Sequence, residues 1–75
     1  MPRDQVPPYL SLAADLRSKI ERGDIQPGEQ VPSLDALARD YRVSRATAQK
    51  ALRLLREEGV VETRPRWGTF VTDRS

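Results

Sequence analysis

What most constrains this chain is a break of three residues, Arg42-Val43-Ser44, between two apolar stripes. Before it, Leu34, Leu37, Ala38 and Tyr41 recur at one-face helical spacing; after it, Ala48, Ala51, Leu52 and Leu55 do so again. Three residues are too few to lay two helices antiparallel. They suit the crossing of roughly 90–120° of a helix-turn-helix, whose second helix serves as a reading head. Ser33 and Ser44 stand at the two N-caps, where a serine hydroxyl accepts from an N–H that the opening turn leaves unpaired. Gly59 closes the second helix, because glycine takes the left-handed conformation at little cost.

With Ala48, Ala51, Leu52 and Leu55 turned inward, the second helix presents Arg45, Ala46, Gln49, Lys50, Arg53 and Arg56, with Thr47 at the margin. An ordinary surface helix is also polar, but this face carries four positive charges and no negative one. The residue types match what a major groove displays. Arg45 can fork onto guanine, Gln49 can make paired hydrogen bonds to adenine, and the methyls of Ala46 and Thr47 can meet a thymine methyl.

Charge placement points the same way. The net charge is only +2, yet Arg42 through Arg66 carry a local net of +4 and the remainder carries −2. A positive face on an otherwise acidic scaffold is the footprint of a polyanion-binding module. A membrane-surface helix is the competing use of such a face, but the opposite side offers alanine and leucine without Trp or Phe anchors. No membrane partner is expected. The chain has no cysteine and no histidine, which leaves no disulfide framework, no triad of the usual kind and almost no route to a zinc site. Neither enzymatic activity nor a cofactor is expected. No apolar run approaches the roughly 20 residues of a membrane span, and the first residues lack a signal-peptide core, so a cytoplasmic protein is expected.

Around the central stretch, residues 1–7 read as a disordered lead-in. Pro8 opens a first helix with the stripe Tyr9, Leu12, Ala13, Leu16 and Ile20, closed by Gly23. Pro27-Gly28 marks a turn, and Glu29-Gln30-Val31 an extended piece placed to pair with strands further on. After Gly59 the period becomes alternating. Residues 60–64 and 68–72 read as a β-hairpin around Pro65-Arg66-Trp67, with Trp67 expected to pack over it rather than take its other place, at the tip against sugar or a partner, and residues 73–75 as a frayed tail. The fold class is mainly α with a small β-hairpin: a winged helix-turn-helix over residues 8–72, three helices plus a C-terminal wing.

The order of landmarks resembles the GntR family of bacterial transcription regulators, from Tyr9 to Val71. The matching pieces are Ile20-x-x-Gly23-x-Ile25-x-Pro27-Gly28, Val31-Pro32-Ser33, Leu37-Ala38, Val43-Ser44-Arg45-x-Thr47, Ala51-Leu52-x-x-Leu55-x-x-Glu58-Gly59 and Gly68-Thr69-Phe70-Val71. The resemblance implies an N-terminal winged helix that binds palindromic operator DNA as a dimer, usually joined to a larger effector-binding or oligomerisation domain. It carries Ser44, Arg45, Thr47, Gly68 and Thr69 over as DNA contacts. Five positions depart from the family pattern. Leu34 and Asp35 replace an acidic residue and a DNA-reaching arginine, Gln49 replaces an arginine of the reading helix, and Arg42 and Arg66 stand where glycine is frequent. Arg42 is therefore expected to carry left-handed strain.

The expected DNA-binding residues are Ser33, Ser44, Arg45, Ala46, Thr47, Gln49, Lys50, Arg53, Arg64, Arg66, Gly68 and Thr69. The expected partner is double-stranded DNA, read as an inverted-repeat operator by a repressor. The chain alone is expected to be a monomer that pairs on palindromic DNA, and an effector ligand enters only with a further domain beyond Ser75. Two other readings stand beside this one: a protein-interaction winged helix that never meets DNA, and the DNA-binding appendage of a larger regulator or enzyme.

Overall fold

The computed structural model describes residues 6–73. Most of the expected lead-in, and all of the tail except Asp73, lie outside the described residues. Five elements follow one another: helices α1 (Pro8–Glu21), α2 (Leu34–Tyr41) and α3 (Arg45–Glu57), then strands β1 (Val61–Arg64) and β2 (Gly68–Val71).

Local chemistry sets the helix ends. Pro8 is the first residue of α1, where its missing N–H is no loss. The hydroxyl oxygens of Ser33 and Ser44 accept from Ala36 N at 3.1 Å and Thr47 N at 3.0 Å. Each helix closes with paired bonds that reach back into its last turn, such as Val60 N to Leu55 O and Gly59 N to Arg56 O, both 3.0 Å. This closure needs a left-handed residue, supplied by Gly23 and Gly59 after α1 and α3. After α2 it is Arg42, at φ 55° and ψ 47°, where a Cβ makes the conformation cost about 1 kcal/mol.

Leu12, Leu16, Leu37, Leu55 and Val61 are the largest fully buried side chains, and the buried alanines Ala13, Ala48 and Ala51 leave room for the surrounding helices to lie close. α3 packs on both α1 and α2 and continues into β1, so it is the shared wall of the core. The hairpin is antiparallel, with Val61 opposite Val71 and Arg64 opposite Gly68. β2 is bonded on its second edge too: Val31 N donates to Thr69 O at 2.8 Å and Val71 N to Glu29 O at 2.9 Å. The extended piece at 29–31 thus anchors the wing. Each strand is one residue shorter than the alternation suggests, although Thr72 N still donates to Val60 O at 3.0 Å.

Trp67 does not pack over the hairpin as expected. It is 73% exposed. Pro65 and Arg66 are the central residues of a turn closed by Trp67 N to Arg64 O at 2.9 Å, and Arg66 has φ 73°, the sign that the second central position of a type II turn requires. That turn carries the indole away from the core.

Candidate nucleic-acid interface

The expected contact residues are all exposed except Thr47 and Thr69, which are half-buried. They fall into three groups. The first is the opening turn of α3. Ser44 accepts from Thr47 N, and its hydroxyl donates to Thr47 Oγ1 at 2.9 Å, which leaves the Thr47 hydroxyl proton free to donate outward. Arg45 and Ala46 stand exposed beside this pair, at the end of α3 where its unpaired N–H groups concentrate positive partial charge. That end is suited to a phosphate or a base acceptor.

The second group lines a cleft of about 320 Å³ between α3 and the wing, with Gln49 on one wall, Gly68 and Thr69 on the other and Ser33 at its end. Arg56 closes the cleft by donating from Nη1 to Thr63 Oγ1 at 3.0 Å. Gln30 sets the wing's position: its Nε2 donates to Trp67 O at 2.9 Å, and a Cβ built on Gly68 would lie 2.5 Å from that nitrogen. The Gln30 amide, at the end of a flexible side chain, can move aside, and it is the backbone at φ 118° that favours glycine at position 68.

The third group stands apart from the cleft. Lys50 Nζ lies 4.2 Å from the centre of the Tyr9 ring, a cation–π contact that draws it toward α1, with Arg53 beside it. Arg64 is folded onto the wing, its Nε 3.1 Å from Glu62 Oε2 and its guanidinium 4.6 Å from the centre of the Phe70 ring. Arg66 reaches out alone at the tip. The candidate residues therefore present one helix-opening turn, one cleft and two separate pairs of cations, Lys50 with Arg53 beside α1 and Arg64 with Arg66 on the wing, rather than one continuous patch.

Three residues outside the expected contact set bear on this surface. Asp35 pairs with Arg45 at 2.9 Å, Gln30 holds the wing, and Arg56 bonds the hairpin through Thr63. The only sequence signal was the crossing itself, which brings the start of α2 near the start of α3.

Two clamps fix the angle at which α3 is presented. Arg17 forks onto Glu58, with Nη2 at 2.8 and 2.9 Å from its two oxygens, tying α1 to the end of α3. Tyr41 ties α2 to α1: its hydroxyl donates to Asp15 and accepts from Lys19 Nζ at 3.2 Å. Burial first, then the bond to Asp15, raises the Tyr41 phenol above the ordinary tyrosine range. The bond to Tyr41 is the chief cause that raises Lys19. Among the described residues no helix is long and apolar enough to cross a membrane, and no group of carboxylates is placed to hold a metal ion.

Three helices, a three-residue turn and a glycine-pinned wing beside the second helix of that turn define a winged helix-turn-helix domain. The chain belongs to the GntR family of bacterial regulatory proteins, whose family model matches residues 8–71. It is 37% identical over 67 residues to the mannosyl-D-glycerate transport/metabolism system repressor MngR of Escherichia coli (strain K12), covering 89% of this chain and 28% of MngR. It is 38% identical over 63 residues to the Exu regulon transcriptional regulator of the same organism, covering 84% of this chain and 24% of that one. Among solved structures, AraR(DBD) in complex with operator ORX1 superposes with a TM-score of 0.89 at 29% identity, over 96% of this chain and 87% of that one. The chain thus spans about a quarter of the length of these two curated relatives.

Proposed function

We propose that this chain is the operator-reading module of a bacterial transcription repressor. Specificity comes from α3 through Arg45, Ala46, Thr47 and Gln49. Affinity comes from phosphate contacts of Ser33, Ser44, Lys50, Arg53, Arg64 and Arg66, with the backbone at Gly68 and Thr69 approaching the adjacent groove. The observation that carries this reading is the opening turn of α3, where a free hydroxyl donor and an exposed arginine stand at the helix's positive end. The likeness to AraR(DBD), a structure with operator DNA, supports it. In this reading the chain is cytoplasmic, has no catalytic role and needs no cofactor. Because it spans so little of its relatives' length, it works as part of a larger regulator, whose further domain would take any effector.

The test is selection from random duplex DNA, followed by binding of the enriched duplex across salt. With about four phosphates neutralised, affinity falls about a hundredfold between roughly 50 and 200 mM salt, because each contact releases condensed counterion. Failure to enrich any sequence, or a flat salt response, refutes the reading and leaves the protein-interaction winged helix in its place.

A further inference from the structure

We infer that Asp35 is a specificity-determining residue, which holds Arg45 by charge, disfavours its contact with phosphate and so disfavours every duplex that lacks a guanine in register. The inference rests on the operator-reading role proposed above. Asp35 is the second residue of α2 and Arg45 the first of α3, and the three-residue turn between the helices brings Arg45 Nε to 2.9 Å from Asp35 Oδ1. Both side chains are more than two-thirds exposed, at 71% and 72%, so water competes with the pair and it contributes little to folding. Its effect falls on where the guanidinium sits.

A guanidinium can fork onto a pair of acceptors through Nε and one Nη, or through its two Nη groups. The contact with Asp35 is an ion pair without hydrogen-bond geometry, so the carboxylate holds the guanidinium by charge and leaves its N–H groups available. A guanidinium fork matches the O6 and N7 acceptors of guanine. A phosphate in the same place would face the carboxylate and be repelled, and a base without paired acceptors gains nothing in exchange. Asp35 thus lowers affinity for DNA in general and spares the duplex with guanine in register, which is discrimination by repulsion. The carboxylate also offsets the unfavourable position of a cation at the N-terminal end of α3.

The experiment measures equilibrium binding of the chain to its selected duplex and to a scrambled duplex, with Asp35→Asn, Asp35→Glu, Arg45→Ala and the double variant. Asp35→Asn should tighten the scrambled duplex about threefold to tenfold while changing the selected one little, so the ratio of affinities falls. Asp35→Glu should retain part of the ratio. On the Arg45→Ala background, Asp35→Asn should tighten both duplexes alike and leave the ratio where Arg45→Ala put it. The melting temperature of Asp35→Asn should stay within a few degrees of the parent. Equal tightening of both duplexes with Arg45 present, or an undiminished drop in ratio without it, overturns the inference. A parent chain that prefers no duplex removes the operator-reading role and this inference together, and is seen before any variant is made.

Discussion

Arg45 and Gln49 lie one turn apart on the exposed face of α3, while Arg66 stands some distance off at the wing tip, and the three should respond differently to truncation. Arg45→Ala and Gln49→Ala should each relax preference at particular base pairs by about 1–3 kcal/mol. Arg66→Ala should weaken all sequences alike and lower the salt slope by about one unit. Binding titrations against single-base variants of the selected duplex separate the two patterns, and a base preference lost only with Arg66 would make the wing the reader. Arg66 also carries a second signature, because at φ 73° its Cβ is strained in a way that alanine shares and glycine escapes. Arg66→Gly should therefore stabilise the fold by a few tenths to about 1 kcal/mol relative to Arg66→Ala, less what glycine's freer unfolded chain takes back, while losing as much DNA affinity. Thermal melts of the pair check it. Equal melting temperatures would mean that the turn carries no strain.

At the scale of elements, the α1–α2 clamp ties stability to alkaline pH. Tyr41 and Lys19 are both raised in the folded state, so their contribution is fully present below the unfolded values, about 10 for tyrosine and 10.4 for lysine, and is lost as pH rises through the folded ones. Stability should hold to about pH 9 and then fall. Tyr41→Phe should cost about 1 kcal/mol at neutral pH, for the lost hydroxyl bonds, and make the alkaline fall shallower. Denaturant midpoints between about pH 8 and pH 11 decide it, an unchanged slope in Tyr41→Phe counting against the clamp. The elements themselves were legible because their causes are local: stripes at helical spacing, Ser33 and Ser44 as caps, Gly23 and Gly59 as stops, alternation after Gly59. The site was legible only as a list of exposed residues. Lys50 over Tyr9, Arg64 against Glu62 and Phe70, and Arg45 on Asp35 follow from how the helices and wing meet, which no local pattern contains. Trp67 was misplaced for the same kind of reason: its exposure follows from a type II turn with arginine at the position where glycine is the signal.

For the whole molecule, the question is whether the domain can pair before it meets DNA. Among the described residues the exposed large apolar side chains are Val6, Leu10 and Trp67, two at the start of the chain and one at the wing tip. A stable solution dimer buries about 800 Å² on each partner around an apolar centre, and three separated side chains do not make one. The charge distribution adds a cost, since the face from Arg42 to Arg66 carries a local net of +4 and repels its copy at low salt. On DNA the balance changes, because phosphates neutralise that face and an inverted repeat sets two copies at fixed spacing, which raises the concentration of each at the other. The 75-residue chain should therefore sediment as a monomer alone. It should bind a duplex carrying two inverted half-sites, about one helical turn or less apart, as two copies. Inserting about five base pairs between the half-sites puts them on opposite faces of the duplex and should return the pair to two independent, weaker events. Sedimentation velocity with and without each duplex reads all three states, and a tight dimer without DNA would place the pairing surface in this domain rather than in the operator.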